Sequence, residues 1–587
     1  LAALFFCAGA AACVNQNGTC EERATCQDCT DPAWASAHPF ECSAMSDGGS
    51  PDAPTVQPRD GAPDVSETFD GSISEAGDAS VAMDATPTDA NGEQASPDAD
   101  SGAPGSDARP DAIPDGPVCD PTSSPSVSTC VIDERYGVFV TPTGDDAAAG
   151  TRAAPLRTMA AALDRAHTSG LRVYACAGTT GFAETMTVAG TWTGVAAFGG
   201  FACPGLRWTY STARTATVSP PSGAALVIQR GASGVLFEDF DLESTDAVGN
   251  GASSIGVIVD NASGVFRRVR FAAGQGADGA VGADGVGGAD GDVAGAEQDG
   301  QGANCTAAAP AALLGGVWPG ASACGSFGGT GGSSSQSLGQ SGAAGTPMDN
   351  VTPAGVDNGG LSDSPGVDGD PGSPGDPGAA GTAITDRGSF SVAGYTPAAA
   401  AHNGTIGHPG QGGGGGGAST AVGAACVGAS GGAGGMGGCG GQPGRGGTGG
   451  GASVALLSIA SDISLESCDL ISSAGGGGGL GGAGGGGGAG AAGGNGGAGA
   501  ANTRHAGAGG VGGDGGAGGP GAGGNGGPSY ALVFTGSPPA RTATTTFTQG
   551  TGGARGMGGL TNAGQGVMIQ APNGNAGQAA PEFAAGP

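Results

Sequence analysis

Between residues 131 and 275, apolar and polar positions alternate in short runs, and this is where the chain reads as a conventional core. Tyr136-Gly-Val-Phe-Val140 predicts a strand that leads into the turn Thr141-Pro-Thr-Gly-Asp-Asp146. In the segment from Pro155 to Ala166, Leu156, Met159, Ala160 and Leu163 fall at i, i+3, i+4 and i+7, which predicts a short helix with one apolar face. Apolar runs follow at 173–177, 194–201, 215–218, 225–229, 235–242, 254–259 and 265–271, separated by Gly, Ser and Asn turns. No second helical pattern intervenes, which excludes βαβ units. Repeated short strands with polar turns leave a solenoid or a sandwich.

Internal similarity selects the solenoid. Ala232-Ser-Gly-Val-Leu-Phe-Glu-Asp-Phe-Asp-Leu242 recurs as Ala262-Ser-Gly-Val-Phe-Arg-Arg-Val-Arg-Phe271, one residue shorter, and again as Ser461-Asp-Ile-Ser-Leu-Glu-Ser-Cys-Asp-Leu470. In the third copy Ile463, Leu465, Cys468 and Leu470 match Val235, Phe237, Phe240 and Leu242. Stacked coils need such matching, because each coil buries its apolar face only against its neighbours. Cys468 then takes the ladder place of Phe240, as a small buried hydrophobe.

A second periodicity lies between these copies. Gly occupies every third position over 276–291, 366–381, 404–416, 432–450, 478–499 and 509–527. A flexible linker would not hold phase for so long. Period three belongs to an extended three-fold helix in which one residue per turn faces a crowded contact. The run 366–381 is collagen-like, whereas the later runs are mainly Gly-Gly-X and suit polyglycine-II helices packed side by side. The opposing expectation is disordered low-complexity loops, since Gly is the most costly residue to order. Gly451-Ala-Ser-Val-Ala-Leu-Leu and Gly527-Pro-Ser-Tyr-Ala-Leu-Val-Phe each return from such a run into a strand. These returns predict coils that resume after each insertion.

The order of strand, T-P-T-G-D-D, P-L-R-T-M-A-A-A-L helix, V-Y-A-C-A-G-T and F-G-G-F resembles the start of right-handed parallel β-helix domains of the pectate-lyase-like superfamily, in their secreted, myxobacterial type. The likeness covers about residues 136–275 and is patchy beyond. It implies an all-β, right-handed parallel β-helix with its helix capping the amino-terminal end. Carbohydrate-active relatives carry clustered Asp residues, or a Ca²⁺ site beside a basic residue; neither set carries over. The triplet runs resemble PGRS-type surface proteins in composition only.

The remaining segments bear on location. Leu1 to Cys13 is apolar but shorter than the roughly 20 residues that cross a bilayer, and Ala10-Ala11-Ala12-Cys13 resembles a lipobox. This predicts an export signal with lipidation at Cys13, hence a membrane partner through that anchor and an outer-membrane lipoprotein at the cell surface. Plain secretion is the alternative. Residues 14–45 read as a small Cys-bearing module. Residues 46–118 hold acids, Pro, Ala, Ser and Gly with only Arg59 and Arg109 as bases, too little apolar surface to offset ordering entropy, so a disordered acidic tether is expected. An amino-terminal β-helix domain over 119–275, triplet insertions over 276–451 and further coils over 452–587 complete the division.

Twelve of the 15 cysteines group locally: Cys20, Cys26, Cys29 and Cys42; Cys119 with Cys130; Cys176 with Cys203; Cys305 with Cys324; Cys426 with Cys439. The grouping predicts short-loop disulfides in an oxidising compartment.

Composition narrows the functions further. Among 587 residues there are 131 Gly, a net charge of −33 and no Lys, the 19 basic residues all being Arg. Such a chain is unsuited to binding nucleic acid or anionic lipid by charge, and without Lys it has no P-loop. Asp278, Asp284 and Asp290 recur every six residues, not at the nine of a Ca²⁺-binding repeat. Glu238, Asp239, Asp241 and Glu243 alternate with Phe237, Phe240 and Leu242 and read as the solvated side of a coil rather than a paired-carboxylate site. Arg267, Arg268 and Arg270 form the one basic cluster and suit ion pairs with acids of a neighbouring coil. The histidines lack ligand spacing. No catalytic residue, metal site or cofactor is expected. The expectation is a structural or adhesive surface protein on a tether, whose partners are extracellular polysaccharide or other surface proteins. A polysaccharide-binding or polysaccharide-cleaving β-helix is the alternative.

Overall fold

The computed structural model describes residues 119–586 except 206, 307–309, 337, 348–365, 422–424, 502 and 565. The leader with Cys13, the module bearing Cys20, Cys26, Cys29 and Cys42, and the acidic tether lie outside the described residues.

Three parallel sheets run along the molecule, and each coil between Leu226 and Thr548 contributes one strand to each. Ser254–Asp260 enters the second sheet, Ser263–Arg267 the first and Arg270–Ala272 the third. The next coil repeats the sequence with Ser453–Ile459, Asp462–Glu466 and Asp469–Ile471. Ser529–Thr535, Ala540–Arg541 and Thr546–Thr548 follow, and Ala579–Ala584 opens a further turn of the second sheet. The fold is a parallel β-helix.

Register follows the repeated sequence. Phe266 pairs with both Phe237 and Leu465, Phe271 with both Leu242 and Leu470, and Val257 with both Leu226 and Leu456. These side chains point inward and form one continuous core, in which the Phe237 and Phe266 rings stack at 6.0 Å. Cys468 lies in the same core, fully buried and unpaired. Single residues with positive φ turn the corners: Asn261 (40°) and Ala460 (46°) between the second and first sheets, Asp239 (62°), Arg268 (52°) and Ser467 (54°) between the first and third.

The amino-terminal end is closed by the helix Met159–Ser169, which buries Met159, Ala162, Leu163 and Ala166. Its start lies later than the apolar spacing from Pro155 implies. Leu156 bridges to Val140 as part of the β-structure, and Thr158 caps the helix by accepting the Ala161 N–H at 3.2 Å. The Glu184 carboxylate accepts the Met159 and Ala160 N–H groups at 2.7 and 3.1 Å, favourable at the positive end of a helix.

The glycine-rich runs are ordered. Gly479, Gly482, Gly485 and Gly488 donate to the carbonyls of Thr448, Arg445, Gln442 and Cys439 at 2.8–2.9 Å, so the two runs are antiparallel with a bond at every third residue. Gly524, Gly521, Gly518 and Gly515 bond in the same way to Gly479, Gly482, Gly485 and Gly488. Gly447, Gly444, Gly441 and Gly438 donate to Ala522, Gly519, Gly516 and Gly513, here in parallel. The run 404–416 bonds across to 432–444 and to the collagen-like run 366–381. Extended three-fold helices therefore lie side by side in an array beside the solenoid. The runs 432–450 and 509–527 return into the second sheet, where Ser453–Ile459 and Ser529–Thr535 pair in register.

Two of the expected cysteine pairs hold, Cys119–Cys130 and Cys176–Cys203. The other two do not. Cys305 pairs with Cys426, and Cys324 with Cys439. The triplet runs fold back on one another, so the segment carrying Cys305 and Cys324 lies against the run carrying Cys426 and Cys439, and each bond crosses between them.

Candidate functional site

The densest cluster of ionisable groups sits on the outward side of the first sheet, at its corner with the third. Glu238 ends the strand Val235–Glu238, and Asp239 is the left-handed corner residue beside it. Both are fully buried, which corrects their reading as a solvated face. Because the next coil repeats this one, Arg267 comes to lie opposite Glu238 and Arg270 opposite Asp241.

Arg268 donates from Nε to Asp239 at 2.7 Å and also pairs with Glu238. Arg267 bridges two coils, reaching Glu238 at 3.0 Å and Glu466 at 2.7 Å. Arg270 holds Asp241 at 2.7 Å and also Glu243. The expected ion pairs between coils are thus present. Tyr210 donates its hydroxyl to Asp239, and Ser124 and Ser126 donate to Glu238 at 2.6 and 3.0 Å from the segment laid over the cluster.

Burial pushes the Glu238 carboxyl up, but the Ser124 hydrogen bond and the Arg268 charge outweigh it and hold the group below its ordinary range. For Asp239, burial prevails over the Arg268 and Tyr210 hydrogen bonds, and its affinity for a proton rises. Tyr210 is likewise held protonated, by burial and then by its bond to Asp239. Oppositely perturbed carboxylates side by side are what acid–base chemistry uses. Here, however, both are enclosed and bonded to arginine, tyrosine or serine, so a substrate has no approach to them. The cluster locks coils together and fastens the amino-terminal segment.

The other candidate groups have structural roles too. The Oδ1 atoms of Asp278, Asp284 and Asp290 accept the Gly477, Ala483 and Ala489 N–H groups at 2.6–2.7 Å. The six-residue recurrence thus caps exposed amides of the neighbouring run. Among the described residues no group of three His, Cys, Asp or Glu is placed to hold a metal ion, and His167 stacks on Trp192 at 4.8 Å. Sequence reasoning placed the ion pairs but missed the burial. A usable signal was present: Glu238, Asp239 and Asp241 stand opposite Arg267, Arg268 and Arg270 at a constant offset of 29, the length of one coil.

Comparison with known protein families, curated proteins and solved structures finds no match for the chain. The cysteine pairs suit an oxidising compartment. Among the described residues no helix is long and apolar enough to cross a membrane.

Proposed function

We propose that the protein is a structural or adhesive cell-surface component, a rigid display body carried on the acidic tether and anchored through a lipid at Cys13. The observation that carries this reading is the interlocking of the glycine-rich array with the solenoid. Long insertions that could have been loose loops are hydrogen-bonded at every third residue and return to the sheet in register. Such order is what a body needs to present side chains at fixed spacing. The X positions of the array hold exposed groups of mixed character, such as Val281, Val286, Val367 and Leu480 beside the acids. The enclosed ion-pair cluster fits a load-bearing role rather than turnover.

Beads coated with the full chain should adhere to cells or to polysaccharide-coated surfaces, and heat-unfolded chain should lose that adhesion. Equal adhesion by folded and unfolded chain would overturn the reading. Depolymerisation of a polysaccharide by the purified chain would favour the enzymatic alternative. Palmitate labelling that persists in Cys13→Ala would remove the anchor from the proposal.

A further inference from the structure

A cavity of about 340 Å³ opens where the hairpin of Ser389–Ser391 and Gly394–Thr396 meets the outer face of the second sheet. Its wall is aromatic. Tyr530 and Phe583, from successive strands of that sheet, stack at 4.7 Å with an interplanar angle of 6°. Phe390 of the hairpin lies 4.9 Å from Tyr395 and 6.1 and 6.0 Å from Tyr530 and Phe583. The four rings come from three distant stretches of chain, so no local motif announces them.

The rim is polar and mostly fixed in place. Tyr530 donates its hydroxyl to the Gln578 Oε1 atom at 2.9 Å, which leaves the amide nitrogen of Gln578 outward. The Tyr395 hydroxyl donates to the Arg387 carbonyl at 2.6 Å and fixes the backbone of that residue. Asn525 accepts the Asn575 N–H at 2.7 Å, and the Asn575 side-chain amide donates to the Ile384 carbonyl at 3.2 Å, which ties the hairpin's approach to the array. Against this fixed rim the Arg387 guanidinium stands apart: it makes no hydrogen bond or ion pair among the described residues. Arg267, Arg268 and Arg270 are each engaged by carboxylates. An unengaged cation at the mouth of a cavity, on a chain of net charge −33, marks a place for an anionic group.

We propose that this cavity binds one ring of an acidic saccharide. A pyranose presents an apolar C–H face that suits the half-buried Phe390, Tyr395 and Phe583 rings, with the buried Tyr530 ring backing them. Its hydroxyls suit the Gln578 amide nitrogen, and its carboxylate or sulfate suits the planar donor fork of Arg387. A neutral sugar would leave the guanidinium without its partner, and a simple anion would leave the rings uncovered. The site lies on the outer face of the solenoid and depends on the hairpin supplied by a glycine-rich insertion. It stands or falls independently of the display role.

The test is calorimetric titration of the full chain with a hyaluronan tetrasaccharide, a heparin tetrasaccharide and cellotetraose. One or both acidic probes should bind at least about tenfold more tightly than the neutral one, the size of one charge-assisted contact, and the tighter probe tells carboxylate from sulfate. Arg387→Gln should abolish that preference while leaving the melting temperature unchanged. Gln578→Ala should weaken every probe that binds. Equal affinity for acidic and neutral probes, no binding, or an acidic preference that survives Arg387→Gln would each overturn the proposal.

Discussion

Phe266 and Gly437 sit at the middle of their respective regions, and both are crowded, yet one must be large and the other must have no side chain. Phe266 fills the solenoid between Phe237 and Leu465 and is 1% exposed. A Cβ on Gly437 would lie 2.1 Å from the Gly410 carbonyl oxygen. In the solenoid, burying such a ring contributes about 1.5–3 kcal/mol, enough to offset its own ordering. In the array each residue gains at most a net ~0.5–1.5 kcal/mol from a backbone hydrogen bond, against about 1–2 kcal/mol of backbone entropy. Residue by residue, the array barely breaks even. It persists because its runs start and end in coils already fixed by the core, and because disulfides tie its loop to a central run. A side-chain core can therefore organise a backbone-only lattice that could not organise itself.

That contrast can be broken first on the solenoid side. Arg268→Ala leaves Glu238 and Asp239 buried with part of their counter-charge gone, and should cost about 3–5 kcal/mol. Chemical unfolding would read this as a lower midpoint. A loss near that of an exposed ion pair would show that the cluster does not hold the coils.

The cross-ties come next. Trypsin has no cleavage site between Phe271 and Arg387 or between Gly388 and Arg445, apart from the terminal arginines themselves. The structural pairing therefore joins peptides 271–387 and 388–445, whereas sequence-local pairing would leave them separate. Mass spectrometry without reduction should find the joined species. Removing Cys324 and Cys439 together should lower stability by about 2–4 kcal/mol, with amide exchange rising mainly in the array.

A smaller effect should appear on acidification. Because the Glu238 carboxyl titrates below its unfolded range, its contribution to stability is complete above that range and is lost as pH falls through the folded value. Asp239 is shifted upward, so its contribution has the opposite sense, present at low pH and lost as pH rises through its folded value. The melting-temperature gap between the parent chain and Glu238→Gln should narrow from neutral pH to about pH 3, and the gap to Asp239→Asn should not narrow with it. Parallel pH curves for all three would show that neither carboxyl is coupled to folding.

The two regions also differ in how far the sequence reveals them. The core ladder was legible because the same apolar positions recur at 235, 237, 240 and 242 and again at 463, 465, 468 and 470, and register then follows. Triplet phase likewise revealed the three-fold runs. What sequence could not supply was which run lies beside which. That choice decides the cysteine pairing, and it also brings Phe390 and Tyr395 to Tyr530 and Phe583. Glu238 and Asp239 were misread for a related reason. Alternation along one strand points them outward correctly, but the cover from Ser124, Ser126 and Tyr210 comes from distant chain.

The smallest effect is the sharpest probe of the array, because it separates two adjacent glycines. A Cβ on Gly487 would sit 1.8 Å from the Gly515 carbonyl oxygen, backbone against backbone with no flexible atom to move aside. A Cβ on Gly486 would meet nothing within 4 Å. In this run the first two positions of Gly-Gly-X face neighbouring helices, as the Cβ positions of Gly485 against Val286 and of Gly488 against Ala289 also show. The third position, shared by Leu480, Ala483, Gly486 and Ala489, looks outward. Gly487→Val should therefore cost about 1–3 kcal/mol through overpacking. Gly486→Ala should be neutral or raise stability by about 0.4–1 kcal/mol, because alanine restricts the unfolded chain and meets no clash when folded. Urea unfolding of the two variants, with amide exchange at Gly515 and Gly518 as the local readout, distinguishes the positions. If both variants match the parent, the runs are not held by close backbone contact. If both are destabilised, the outward face of the third position is covered.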